Sequence, residues 1–266
     1  MSDAPVVFVT GASRGLGESV ALWLGKAGCK VALMARSKAA LERVAEHVKR
    51  MGGTPMFFSA DVADSTACRN VVEETIKVFG RLDALVNNAA LLQPLAPVAR
   101  VDSKSWRYNI EVNLLGPFYM CRAAILHLRK QKGRIVNVSS GAANSLIESA
   151  SAYCITKSGL NYLTRLLAAE EPDLTCVAVR PGVVDTQMQA LIRKEGPHTM
   201  PPEQLAYFLN LKAEGRLEPP YVPARSIAWL ALHAPKEFSG SFMSYDDPMI
   251  SRPSQRVFGE KMDIKF

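Results

Sequence analysis

The sequence predicts an α/β fold: one doubly wound parallel sheet of about seven strands, with helices on both faces. Three observations carry this. Short apolar runs alternate with amphipathic helical stretches from the first residues onward. The runs are continuously apolar, as strands buried on both faces must be. The first run passes through a glycine-rich turn directly into a helix.

The elements follow in order. Val6–Val9 reads as a strand ending in Thr10-Gly11, and helical spacing runs from Gly15 to Lys26, closed by Gly28. A strand over Val31–Ala35 leads to a charged helix over Lys38–Met51, stopped by Gly52-Gly53. Strand Pro55–Ser59, helix Ser65–Phe79 and strand Leu82–Val86 come next. One long helix is expected from Ser105 to Gln131, ended by Gly133, then strand Arg134–Val138, helix Ser151–Glu170 and strand Leu174–Val179. Between Pro181 and Pro223 the pattern is broken by Pro197, Pro201, Pro202, Pro219 and Pro220, with room for short helices over Gln187–Lys194 and Glu203–Ala213. So long an interruption in a compact α/β domain reads as a substrate lid, over 183–222. A helix near Ala224–His233 and a strand near Ser241–Tyr245 close the fold. A single catalytic domain is therefore expected over residues 1–245. Residues 246–266, polar and weakly patterned, read as a C-terminal tail ordered, if at all, by an oligomer partner.

Composition narrows the classes. At ~150 residues per domain, 266 residues allow one large domain or two small ones, and the unbroken alternation selects one. Hydrophobic residues make up 48% and charged residues 21%, as in ordinary globular proteins. No run of ~18 apolar residues would span a membrane, and Met1–Pro5 does not open a signal peptide. Five scattered cysteines with no C-x-x-C pair suit free thiols in a reducing cytoplasm. Four histidines without clustered spacing give no metal site. The net charge of +7 raises nucleic-acid binding, but the densest basic stretch, Arg129–Arg134, lies at a helix end where cations complement the dipole, and no nucleic-acid module is recognisable.

The first βα turn is Thr10-Gly11-Ala12-Ser13-Arg14-Gly15-Leu16-Gly17. A diphosphate can approach backbone N–H groups at a helix start only where side chains do not block it. The spacing is G-x-x-x-G-x-G rather than G-x-G-x-x-G, and three glycines also serve a plain tight turn. The end of the second strand sharpens the reading. An acidic residue there would bind the ribose 2′-hydroxyl of NAD; here Ala35 is followed by Arg36. A neutral residue and a cation suit a 2′-phosphate, which Arg14 is also placed to reach, so the expected cofactor is NADP(H).

Tyr153 and Lys157 stand at i, i+4 and share one helix face. A cation there is expected to lower the Tyr153 pKa and make it a general acid or base. Ser140 lies at the end of a strand, 13 residues before Tyr153, at the edge where parallel sheets bind ligands.

With these residues in place the chain resembles the short-chain dehydrogenase/reductase family, in its single-domain branch of about 250 residues with a Rossmann-type sheet. The resemblance covers residues 5 to 245. It rests on Thr10–Gly17, Asp61-Val62, Asn87-Asn88-Ala89-Ala90, Asn113, Ser140, Tyr153 with Lys157, and Pro181-Gly182 with Thr186, all in family order. It implies that Tyr153 protonates the nascent alkoxide, or takes the proton in the oxidative direction. Lys157 lowers the Tyr153 pKa and binds the nicotinamide ribose, Ser140 binds the carbonyl oxygen, and Asn113 holds a water in a proton relay. It also implies cofactor contacts from Gly11, Ser13, Arg14, Gly15, Leu16 and Gly17 in the turn, with Arg36 on the 2′-phosphate. Asp61 and Val62 are placed on adenine, Asn87 and Ala89 near the adenosine ribose, and Pro181, Val183 and Thr186 at the carboxamide. Where the family has Gly at the fourth position of N-N-A-G, this chain has Ala90, so the backbone there must avoid positive φ.

The expected substrate pocket comprises Leu91 and Leu92, Ala142 and Asn144 beside Ser140 and Tyr153, and Val184, Gln187 and Met188 from the lid. Its apolar character favours a bulky ketone or diketone, and the lid loosely resembles reductases of benzil and sepiapterin. β-Ketoacyl, steroid and sugar substrates stay open, as do an alcohol dehydrogenase working oxidatively and a non-catalytic NADP-binding regulator. The family resemblance implies a homo-oligomer, dimer or tetramer.

Overall fold

The structure, a computed structural model, describes residues 4–262. Seven parallel strands form one sheet in the order β3-β2-β1-β4-β5-β6-β7. They are β1 (Val6–Thr10), β2 (Lys30–Ala35), β3 (Thr54–Ser59), β4 (Ala84–Asn87), β5 (Arg134–Val138), β6 (Thr175–Arg180) and β7 (Phe242–Ser244). β1 pairs β2 on one side and β4 on the other. The chain thus winds outward to β3 and returns to the centre, leaving a crevice above the carboxyl ends of β1 and β4.

One face carries α1 (Gly15–Lys26), α2 (Lys38–Arg50) and α9 (Tyr221–His233), packed over the buried Val7, Val9, Leu33, Val86 and Val177. The other carries α3 (Ser65–Phe79), α5 (Gly116–Arg129) and α6 (Ser151–Glu170), over Phe8, Met34, Leu85 and Ile135. Local chemistry sets the helix ends. The Asp64 carboxylate accepts from Thr66 N and Ala67 N to start α3, and Gly80, at φ +80°, ends it.

The long helix expected over 105–131 has a flaw at its centre. α4 (Ser103–Ile110) passes through a π-helical turn at Glu111–Leu115 before α5 begins. Gly116 N–H bonds the Glu111 carbonyl, five residues back. Pro117 has no N–H to donate to the Asn113 carbonyl, so a regular helix could not be completed there. The dipeptide Gly116-Pro117 was the signal for this break.

Between β6 and α9 stand α7 (Gln187–Glu195) and α8 (Pro202–Ala213). Their neck is pinned: Asp185 N–H donates to the Glu218 carbonyl at 2.8 Å and Glu218 N–H to the Val183 carbonyl at 2.9 Å.

The expected C-terminal tail is corrected. Pro248–Phe258 forms α10, with Asp247 accepting from Met249 N at its start. Ile250, Ser254 and Phe258 line its buried face, and the Phe258 ring lies 5.6 Å from that of Trp23 in α1. The signal was Asp247-Pro248, a capping residue followed by proline at the first helical position, with apolar residues sparsely spaced behind it. Residues 263–266 of the expected tail lie outside the described residues. Among the described residues no helix is long and apolar enough to cross a membrane.

Candidate active site

Above the carboxyl ends of the strands lies a cleft of about 2310 Å³, large enough for a dinucleotide and a second molecule. The glycine turn forms its floor. Gly11 and Gly15 hold φ of +64° and +58°. A Cβ on Gly17 would stand 2.3 Å from the Gly11 carbonyl oxygen, and one on Gly11 2.7 Å from Ala89 Cα. The turn therefore packs directly against the loop after β4. Arg14, the residue before α1, makes no side-chain cap, so the first N–H groups of α1 stay open to an anion.

Thr10 and Asn88 join the two loops at the crevice. Asn88 N and Ala89 N donate to the Thr10 hydroxyl, and Asn88 Nδ2 donates to the carbonyls of Thr10 and Gly11. Asn87 is corrected by this arrangement. It ends β4, and its Nδ2 points the opposite way, to Asn137 Oδ1 at 2.9 Å and Cys121 Sγ. Adjacent strand residues face opposite sides, so Asn88 rather than Asn87 reaches the cleft.

Behind the turn, Arg43 Nη1 bonds the nearly buried Glu18 carboxylate at 2.7 Å, and Nη2 bonds the Ser13 carbonyl at 3.3 Å. At the far end of the cleft, Arg36 Nη1 donates to the Tyr108 hydroxyl at 3.1 Å, which donates to Asp61 Oδ2 at 2.8 Å. Tyr108 lines the cleft from α4 and was not foreseen, since a tyrosine in the first turn of a predicted helix carries no positional signal.

At the other end Ser140, Tyr153 and Lys157 converge. Ser140 follows β5, and its hydroxyl accepts from Ala142 N, capping a short turn over Gly141–Ala143. Tyr153 and Lys157 both face the cleft from α6, with Lys157 Nζ 5.6 Å from the Tyr153 ring centre. Burial holds the Tyr153 phenol above its usual range, while the Ser140 hydroxyl acts the other way. The expected lowering by Lys157 is thus corrected: burial prevails. The Lys157 ammonium donates to the Val138 carbonyl at 2.7 Å, and burial brings its own pKa down to about 8.

The side-chain amide of Asn113 is spent inside the protein, which leaves its main-chain carbonyl as the group for the expected water. The residue is fully buried, with Oδ1 accepting from Leu91 N at 2.9 Å and Nδ2 donating to Leu91 O at 2.7 Å. Asn109 Nδ2 adds bonds to the carbonyls of Leu91, Leu92 and Gln93. These two amides hold the loop after β4 in place from outside the cleft. Ala90 keeps φ negative, since Lys132 and Ser149 are the described non-glycine residues with positive φ.

Arg14, Leu16, Val62, Ala89, Pro181, Val183 and Thr186, expected at a cofactor, line the cleft. Leu91, Leu92, Ala142, Val184, Gln187 and Met188, expected at the substrate, line it too. Asn144 does not: it is exposed at the end of the Gly141–Ala143 turn. The sequence also missed Ile147 from the loop before α6, and Leu191, Ile192, Phe208 and Leu211 from α7 and α8, which complete an apolar roof. Gln93 Nε2 donating to Glu195 at 2.7 Å, and Glu148 N donating to Gln204 at 3.1 Å, fasten α7 and α8 to the loops below.

A doubly wound sheet with serine, tyrosine and lysine at its carboxyl edge defines a class of oxidoreductase. Residues 5–196 match the short chain dehydrogenase family, and the chain belongs to that family. It is 35% identical over 250 residues to an uncharacterized oxidoreductase of Saccharomyces cerevisiae, covering 92% of this chain and 97% of that one. A benzil reductase forming (S)-benzoin, also from S. cerevisiae, is 33% identical over 256 residues, covering 91% and 96%. The crystal structure of an S. cerevisiae short chain dehydrogenase/reductase superposes with a TM-score of 0.88 at 35% identity, covering 94% of this chain and 99% of that one.

Proposed function

We propose that this oxidoreductase is an NADPH-dependent carbonyl reductase acting on a bulky ketone or diketone. The observation that carries the reading is the apolar roof of the lid, which clusters with Tyr153 and lines the same cleft as Ser140. Such walls suit an uncharged substrate with aromatic or aliphatic bulk, and benzil reductases of S. cerevisiae and Bacillus cereus are among the relatives.

The chain's residues fit a nicotinamide dinucleotide. The glycine cradle leaves no room for a Cβ at Gly11 or Gly17, and the first N–H groups of α1 are uncapped for a diphosphate. Arg14 and Arg36 line the cleft where the second strand ends without an acid, which favours a 2′-phosphate and hence NADP(H). When bound, the cofactor supplies the hydride. Ser140 holds the substrate oxygen and stabilises its developing charge. Tyr153, whose phenol burial holds above its usual range, donates its proton to that oxygen. Lys157 positions α6 against the end of β5 and holds a positive charge beside the tyrosine.

The reading extends to the whole chain. The catalytic unit expected over residues 1–245 takes in α10 as well, with a lid over 183–222, and the five free cysteines suit a reducing cytoplasm. Apolar side chains exposed on α5 and α6 suit a homo-oligomer.

The test follows oxidation of NADPH and of NADH with a panel of aromatic diketones. Turnover with NADPH is expected, and Tyr153→Phe should lower kcat by about 10²–10⁴-fold. Equal turnover in the wild type and Tyr153→Phe would overturn the mechanism, and a preference for NADH would overturn the cofactor assignment.

A further inference from the structure

We propose that Tyr108 is a positioning residue for cofactor selection: its hydroxyl stands between Arg36 and Asp61 and keeps the guanidinium available to a 2′-phosphate. The inference rests on the NADP(H) reading above and goes beyond it by naming the residue that makes Arg36 effective.

Three separate segments meet at this hydroxyl. Arg36 follows β2, Asp61 follows β3, and Tyr108 comes from α4 on the opposite wall. Tyr108 Oη accepts from Arg36 Nη1 at 3.1 Å and donates to Asp61 Oδ2 at 2.8 Å, so both its capacities are used. The main chain at Arg36 is fixed as well, because the Ser59 hydroxyl donates to its carbonyl at 2.9 Å. Asp61 Oδ1 accepts from Ala63 N at 3.0 Å, which fixes the carboxylate. The guanidinium side chain is thus held largely by one neutral hydroxyl, with its other N–H groups free to face a ligand.

The spacing has an electrostatic consequence. A guanidinium and a carboxylate in direct contact form a bidentate pair that satisfies both. Such a pair would take from Arg36 the donors a phosphate needs, and would set a negative charge beside the phosphate site. Tyr108 prevents this by holding the two groups one hydroxyl apart. Burial, and then the Asp61 carboxylate, keep the phenol above its ordinary range, so it stays a donor through neutral pH. Removing the hydroxyl lets Arg36 collapse onto Asp61. The loss then falls on the 2′-phosphate and spares the adenine ring and ribose.

Binding of two fragments reads this without turnover. The probes are 2′,5′-ADP and 5′-AMP, titrated by calorimetry into the wild type, Tyr108→Phe, and Tyr108→Phe combined with Asp61→Asn. The wild type is expected to prefer 2′,5′-ADP. Tyr108→Phe should weaken 2′,5′-ADP roughly tenfold, the worth of one charge-assisted hydrogen bond, and change 5′-AMP by less than about twofold. In the double variant no carboxylate competes for Arg36, so most of the preference should return, measured as the ratio of the two affinities. An unchanged ratio in Tyr108→Phe, or an equal loss of both ligands, overturns the inference alone. A double variant with no recovery also overturns it, because Arg36 would not then be captured by Asp61. A wild type that binds both fragments equally overturns the NADP(H) reading together with the inference.

Discussion

The Lys157 ammonium donates to the main-chain carbonyl of Val138, at 2.7 Å, and so ties α6 to the end of β5 two residues before Ser140. The bond sets the spacing between the two elements that carry the site. It also fixes a buried positive charge, because the lysine is only 3% exposed.

That burial has a pH signature. The Lys157 pKa falls from 10.5 to about 8 in the fold, so the unfolded chain binds this proton more tightly. The charged form costs the fold roughly 3 kcal/mol below pH 8, and the cost fades as pH rises toward 10.5. Replacing Lys157 with Met should remove turnover. Its stability relative to wild type should be greatest near pH 7 and decline between about pH 8 and 10.5, even though the lost bond to Val138 offsets part of the gain. Urea denaturation of both proteins at three pH values measures this, and a difference independent of pH would contradict a buried charged lysine.

The glycine turn should tolerate no methyl group at Gly17. Its Cβ would meet the Gly11 carbonyl oxygen at 2.3 Å and Asn88 Nδ2 at 2.4 Å, and a backbone atom cannot yield as a flexible side chain does. Gly17→Ala is expected to cost about 1–3 kcal/mol from overpacking and to weaken cofactor binding. Gly141→Ala, where a Cβ meets nothing within 4 Å, serves as the contrast and should leave stability near wild type. Thermal melts with and without NADPH compare the two.

α10 belongs to the core. Phe258 is 5% exposed against Trp23, and Lys26 Nζ donates to its carbonyl at 3.0 Å. Phe258→Ala should therefore cost about 3–5 kcal/mol in chemical denaturation. A change below about 1 kcal/mol, the scale of surface substitutions, would mean that the helix does not pack there in solution.

Phe118 on α5 and Ile155, Tyr162 and Leu166 on α6 leave large apolar side chains 41–59% exposed. If these faces pair two copies, light scattering should give a multimer mass for the wild type. It should give a smaller mass for Phe118→Glu combined with Leu166→Glu. A monomer mass for the wild type would contradict the oligomer.

Most of the fold was legible because its signals are local. Continuous apolar runs, glycine stops and the turn after β1 mark their own elements, whatever those elements later pack against. The break at Gly116-Pro117 and the capped start of α10 at Asp247-Pro248 were local too, but each lay inside a segment already read as helix or tail. The pocket walls from α8 gave no such mark. Phe208 and Leu211 look like any amphipathic helix until α8 is packed in one cluster with Tyr153.

The sequence by itself determined the sheet, the glycine turn and the residues of the serine–tyrosine–lysine set, since each depends on residue type and spacing along one element. Which asparagine faces the cleft, where Asn113 spends its amide, and whether burial or Lys157 governs Tyr153 were decided only in three dimensions. So was the meeting of Arg36, Tyr108 and Asp61. Each of those outcomes depends on groups far apart in the chain, and on how much water the fold removes from between them.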